Sequence, residues 1–224
     1  MQTYEVEIKS LLGGPARADE IREAMREVDP STALLSVNRQ LNHYFEGGSL
    51  GELGEKIGSK LSKEGAERFS EVAGDTASLS VRTRDKDGVV FLVVKATLRA
   101  DTSANGVARM EFEEKVPMTL SELDEVVMSA GFRYQAKWSR QREEYLCRGI
   151  NVTLDKNAGY GWLAEFERIV DDAAKVDDAE REIRTLMQEL GASELPQDRL
   201  ERMFGHYNKH WQDYYGTEKI FIVE

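Results

Sequence analysis

The segment Glu5-Val6-Glu7-Ile8-Lys9 constrains the fold more than any other stretch, because charged and β-branched residues alternate with the period of a strand. One face of that strand carries two carboxylates and an ammonium, and the other carries Val6 and Ile8. The pattern recurs along the chain. Arg109, Glu111, Glu113 and Lys115 share a face, Arg82 and Arg84 share another, and Lys95 ends a Val-rich run. Arg140, Arg142 and Glu144 alternate before Tyr145, and Glu165 and Glu167 alternate with Trp162, Ala164 and Phe166, after Asp155 at the preceding strand end. A large antiparallel sheet with one wet face accounts for the alternation, its cross-strand ion pairs contributing roughly 0.2 to 1 kcal/mol each. A closed antiparallel barrel of eight strands accounts for more. With the charged faces inward the interior is polar, and the apolar outer face is buried under amphipathic helices, giving an α+β fold.

Helices and turns separate these strands. Ala16 to Val28 reads as an amphipathic helix, ended by Asp29-Pro30, and residues 33 to 45 as extended chain closed by Gly47-Gly48. Leu50, Leu53, Ile57 and Leu61 mark a helix continuing through Phe69 and Val72, a helical insertion at about 49–74 in a single domain spanning 1–224. Ser78 to Arg84, Val89 to Leu98 and Val107 to Val116 read as a meander, its first two strands joined at Asp87-Gly88. Thr119-Leu120-Ser121-Glu122 is a capping-box pattern opening a helix that ends near Gly131. Phe132 to Cys147, Ile150 to Leu154 and Gly161 to Ile169 follow as strands. Asp177 to Leu190 and Gln197 to Tyr215 read as helices, and Ile220-Phe221-Ile222-Val223 as a last strand.

Composition sets limits on function. With 224 residues and 41% apolar content the chain can bury a sizeable core. Its single cysteine, Cys147, excludes an internal disulfide framework and a cysteine-rich metal site. No apolar run approaches the roughly 20 residues that span a bilayer, and the N-terminus lacks a secretory pattern, so the expected location is the cytoplasm, with no membrane partner. A net charge of −11 argues against a protein that coats nucleic acid. Basic clusters within a cleft still bind phosphates, because a cleft focuses the field of nearby charges.

In their shared order these motifs resemble the CYTH superfamily, the triphosphate tunnel metalloenzymes. Glu5-Val6-Glu7-Ile8-Lys9 is similar to its Glu-x-Glu-x-Lys signature, Gln40 with Tyr44-Phe45 to its Gln-x-Asp-x-Tyr-Phe strand, and Ser80 to Arg84 to its Leu-Arg-Ile-Arg strand. Arg109 to Glu113, Arg140-Gln141-Arg142 with Tyr145, and Asp155 through Gly161 to Glu165 and Glu167 match its later motifs, and Asn42-His43 stands where Asp is common. The resemblance implies Mg2+ or Mn2+ held among Glu5, Glu7, Glu111, Glu113, Asp155, Glu165 and Glu167, and catalytic roles for Glu5, Glu7, Lys9 and Asp155. It implies phosphate binding by Lys9, Arg82, Arg84, Lys95, Arg109, Arg140 and Arg142, with Lys219 a further candidate cation. The implied activity is a triphosphatase acting on tripolyphosphate, ATP or thiamine triphosphate, as a monomer or homodimer. A class IV adenylyl cyclase and a non-catalytic polyphosphate-binding or nucleotide-binding module are the alternatives. His206 and His210, four apart on a helix, read as surface or packing residues, the aromatics Tyr207, Trp211, Tyr214 and Tyr215 as packing, and Cys147 as inert.

Overall fold

The computed structural model describes residues 4–74, 78–97 and 109–222, without the side chains of 78, 79, 96, 97 and 109–111. Eight strands and six α-helices occur among them. The strands are β1 (Tyr4–Gly13), β2 (Ala33–Gly47), β3 (Ser78–Lys86), β4 (Val89–Thr97), β5 (Arg109–Lys115), β6 (Phe132–Cys147), β7 (Ile150–Asn157) and β8 (Gly161–Val170). The helices are α1 (Pro15–Val28), α2 (Leu50–Ile57), α3 (Lys63–Gly74), α4 (Leu120–Ser129), α5 (Val176–Glu189) and α6 (Gln197–Tyr214).

All strand neighbours are antiparallel, in the order β1-β5-β4-β3-β2-β6-β7-β8, and β1 also pairs with β8. The β1–β8 ladder runs from Tyr4↔Val170 to Gly13↔Trp162. At the β1–β5 seam the described pair is Glu5↔Arg109. The expected eight-stranded antiparallel sheet with helices against its apolar face is therefore present.

Period-two alternation decides which side each residue takes. Val6 and Ile8 of β1 join Val152, Leu154, Ala164 and Phe166 beneath Ile21 and Met25 of α1 and Ile183 and Leu186 of α5. Val81, Leu92, Val94 and Phe112 are covered by Leu53, Ile57, Phe69, Leu123 and Val127 of α2, α3 and α4. Trp138, Tyr160 and Leu163 meet Leu200, Met203 and Tyr207 of α6. The first two layers fix the outer face, so the charged residues of opposite parity turn inward, and the third closes one end of that inner side, where Trp138, Tyr160 and Leu163 line the cavity.

Local signals behave as their chemistry demands. The Thr119 capping box forms, with the Glu122 amide donating to Thr119 Oγ1 at 3.3 Å and the Thr119 amide to Glu122 Oε2 at 2.8 Å. The β3–β4 turn takes positive φ at both Asp87 and Gly88, as a tight hairpin turn requires. Gly161 also has positive φ, and a Cβ there would stand 2.7 Å from the Gly13 carbonyl oxygen, so the β7–β8 turn can approach β1 only through glycine.

Two expectations are corrected. The helix read from Leu50 through Val72 is broken by a 3-10 turn at Gly58–Lys60 and extended backbone at Leu61. Ser62 then caps α3, accepting from the Gly65 amide at 2.9 Å, so a new helix start interrupts one apolar period. The last strand does not form over its described residues. Ile220 makes a single parallel bridge to Gly159, with backbone bonds of 2.8 Å from Gly159 N to Lys219 O and from Phe221 N to Gly159 O. Its partner is a turn, which offers no ladder to extend, and Val223 lies outside the described residues.

Candidate active site

A cavity of about 640 Å³ is lined by the inner faces of β1, β2, β3, β6 and β8, with Lys95 of β4 and Glu113 of β5. That volume falls within the range of small-molecule sites. Glu5, Glu7, Lys9, Arg82, Arg84, Lys95, Glu113, Arg140, Arg142, Glu165 and Glu167 all line it, so the sequence pattern gathers most of its candidates in one place. The side chains of Arg109 and Glu111 lie outside the described residues. Lys219 is exposed and does not line the cavity.

The acidic side is built by register. β1 against β8 places Glu7 opposite Glu167 and Lys9 opposite Glu165. Lys9 pairs with Glu7, and Lys95 donates to both oxygens of Glu5 at 2.8 and 2.9 Å. Among the described residues no three His, Cys, Asp or Glu side chains gather closely enough to hold an ion by themselves.

The basic side is built on a buried carboxylate. Asp155 has no exposed surface and accepts from Arg142 at 2.7 and 2.6 Å and from Arg140 at 2.9 Å. Glu165 pairs with Arg142 and stands 3.9 Å from Arg140. Burial alone would raise the Glu165 carboxyl, but Arg142, Lys9 and Arg140 outweigh it and hold it well below the usual carboxylate range. Burial opposes the Arg142 charge, and Asp155 and Glu165 reverse that and raise it. Arg84 donates to Glu113 at 2.8 Å and to Asn42 at 2.9 Å. Arg82 lies 4.6 Å from the ring centre of Tyr44, whose hydroxyl burial would raise but which Arg82, Arg140 and Arg84 lower.

One end of the cavity is aromatic. Tyr44, Trp138, Tyr160 and Phe204 line it, and Trp138 stacks on Tyr207 with ring centres 3.6 Å apart. Tyr207 is fully buried and donates to the Lys137 carbonyl at 2.8 Å, so this part of the α6 aromatic set is packing, as expected. Cys147 is buried, and burial pushes its thiol up.

Sequence reasoning did not single out Asn38 as a site residue or assign a role to Glu144. Asn38 is buried beside Gln40, and Glu144 accepts from Ser36 at 3.0 Å and from Asn151 at 3.1 Å. The available signal was parity, since Asn38 shares a face with Gln40, and Glu144 with Arg140 and Arg142.

Solved structures share the fold. A conserved hypothetical protein from Pyrococcus furiosus aligns with TM-score 0.62 and 18% identity, covering 88% of this chain and 98% of its own. A protein from Pyrococcus horikoshii gives 0.58 and 22%, covering 87% and 94%. A Vibrio parahaemolyticus protein provisionally described as an adenylate cyclase gives 0.60 and 14%, covering 90% and 99%. No curated protein sequence matches significantly. Residues 69–199, more than half of the chain and including Arg82, Arg84, Arg140, Arg142, Asp155, Glu165 and Glu167, match the CYTH domain. The chain belongs to the CYTH domain family.

Proposed function

We propose that this chain is a metal-dependent triphosphate-processing enzyme, a phosphohydrolase, whose eight strands close into a tunnel around its substrate. In this reading residues 1–224 form one domain and 49–74 a helical insertion. The observation that carries it is the pairing of Glu7 with Glu167 across β1 and β8, in one cavity with Arg84, Arg140 and Arg142. A solvated sheet face has no need of that segregation.

The donor set fits a hard divalent cation. Mg2+ is usually bound by one or two carboxylates, completed by water and substrate phosphates, so a full protein cage is not required. Glu7 and Glu167 would hold it, with Glu5 close by, and Mn2+ accepts the same oxygen donors. A bound Mg2+ or Mn2+ would neutralise charge on the phosphate oxygens as it develops. The side chains supply the rest. Arg84, Arg140, Arg142, Lys9 and Lys95 would bind and align the phosphates, and Asp155 would keep the two β6 guanidiniums in place. Hydrolysis then forms a bond from a water oxygen to the terminal phosphorus and breaks the bridging P–O bond, the bridging oxygen departing on the shortened phosphate chain, one water proton staying on the orthophosphate and the other passing to the leaving oxygen or solvent. Phosphoryl transfer depends mainly on such positioning and electrostatic stabilisation.

The test is a panel of tripolyphosphate, ATP and thiamine triphosphate with Mg2+ or Mn2+, with products identified. Metal-dependent orthophosphate release supports the reading. Cyclic AMP with pyrophosphate would assign a cyclase instead, and binding without turnover under either metal would leave a binding module.

A further inference from the structure

Four inner-face side chains of β2 form a directional chain of hydrogen bonds. Asn42 Nδ2 donates to Gln40 Oε1 at 3.4 Å, Gln40 Nε2 to Asn38 Oδ1 at 2.9 Å, and Asn38 Nδ2 to Ser36 Oγ at 3.0 Å. Ser36 Oγ then donates to Glu144 Oε2 at 3.0 Å, so every donor points toward one carboxylate. Asn38, Gln40 and Asn42 are each more than nine-tenths buried. Two of these side-chain oxygens also receive arginines, one from each neighbouring strand. Gln40 Oε1 accepts Arg140 Nε of β6 at 2.8 Å, and Asn42 Oδ1 accepts Arg84 Nε of β3 at 2.9 Å.

We propose that this amide ladder, grounded on Glu144, is a positioning element that acts beside the carboxylates Asp155 and Glu113 to set the guanidiniums of Arg140 and Arg84 for an anionic substrate. Donor and acceptor counts impose this orientation. A guanidinium has only donors, so Gln40 can hold Arg140 only with its oxygen turned toward it. Asn38 enforces that orientation by taking the Gln40 amide hydrogens, and a flipped Gln40 would set donor against donor at Arg140. Chained bonds polarise one another, so the distant Glu144 charge strengthens each carbonyl as an acceptor. The Nε anchors are neutral, which fixes the planes without placing a further carboxylate against a phosphate. Asn38 thus acts through Gln40 and does not line the cavity, whereas Glu144 lines it and acts on the two arginines through the ladder.

The role in catalysis rests on the triphosphate reading, whereas the positioning itself can be measured without ligand. The experiment follows the arginine Nε–H signals by NMR in the full chain. In the parent, Arg140 and Arg84 Nε–H should exchange slowly with solvent. Gln40→Met should accelerate exchange at Arg140, and Asn42→Leu at Arg84, by roughly tenfold or more, the equivalent of one hydrogen bond to a charged group. Gln40→Glu, which keeps an acceptor oxygen, should restore Arg140. Asn38→Leu, which contacts neither arginine, should loosen Arg140 by releasing the Gln40 amide. Tripolyphosphate affinity, read by calorimetry with metal chelated, should fall roughly tenfold in Gln40→Met for the same lost bond. Circular dichroism identifies any variant that fails to fold, and the remaining ones carry the test. Unchanged exchange at both arginines in folded Gln40→Met and Asn42→Leu overturns the proposal. Expected exchange together with a parent that neither binds tripolyphosphate nor hydrolyses it with Mg2+ or Mn2+ would uphold the positioning and defeat the triphosphate reading.

Discussion

Glu7 of β1 and Glu167 of β8 are direct cross-strand partners, and both line the cavity that holds the arginines of β3 and β6. Like charges placed opposite each other destabilise a sheet, so the pair calls for compensation. Lys9 supplies part of it by pairing with Glu7, and a bound divalent cation would supply more. Glu7→Gln should therefore lower metal-dependent phosphate release from tripolyphosphate by about 100-fold, the scale of losing one electrostatic stabiliser of a transition state. It should also raise the metal concentration needed for half-maximal rate. A steady-state metal titration measures both, and a parent-like rate would remove Glu7 from the site.

Asp155 carries the opposite risk. It is wholly buried and takes three hydrogen bonds from Arg140 and Arg142. Breaking a buried charge pair from one side typically costs about 3–5 kcal/mol, because the remaining charge loses its compensation. Asp155→Asn should lose stability on that scale in urea denaturation. Tripolyphosphate should recover more stability in the variant than in the parent, since its negative charge would replace the lost carboxylate.

The inner-face residues were legible because strand parity is local: Glu5, Glu7, Lys9, Arg82, Arg84, Arg140 and Arg142 sort correctly from alternation alone. Parity assigns a face but not a partner. That Lys95 meets Glu5, 90 positions away in sequence, depends on how β4 and β1 flank β5. Ser62 was missed as a cap because the apolar period runs on across it from Ile57 to Phe69. Gln40 was visible through its strand motif and Asn38 was not, and the direction of the hydrogen bond that joins them is not encoded in any residue pattern.

The stacked pair Trp138 and Tyr207 ties α6 to the aromatic end of the cavity. Trp138→Ala should cost about 3–5 kcal/mol, the usual loss for a large buried aromatic. Tyr207→Phe keeps the stack and removes only the bond to the Lys137 carbonyl, so it should cost about 0.5–1.5 kcal/mol. Chemical denaturation of the two variants separates packing from hydrogen bonding. Equal losses would mean that the stack contributes little.

On the outer face, Asp124 of α4 accepts from His43 at 2.6 Å, Thr83 at 2.6 Å and Tyr134 at 2.7 Å, and the far nitrogen of His43 meets the Tyr215 hydroxyl at 2.7 Å. Burial would raise the Asp124 carboxyl, but the bonds from His43, Thr83 and Tyr134 hold it below its ordinary value of 3.8. A carboxyl depressed in the folded state contributes stability that is complete above its unfolded pKa and is lost as pH falls through the folded one. The Asp124 contribution should therefore be constant at neutral pH and decline below about pH 4. Asp124→Asn should destabilise the fold at pH 7 by about 3 kcal/mol, as for one side of a buried charged hydrogen-bond network. The gap to the parent should narrow in acid, where the parent carboxylate becomes protonated too. Melting temperatures of both proteins between pH 3 and pH 7 measure that convergence, and parallel curves would show that Asp124 is not ionised in the native state.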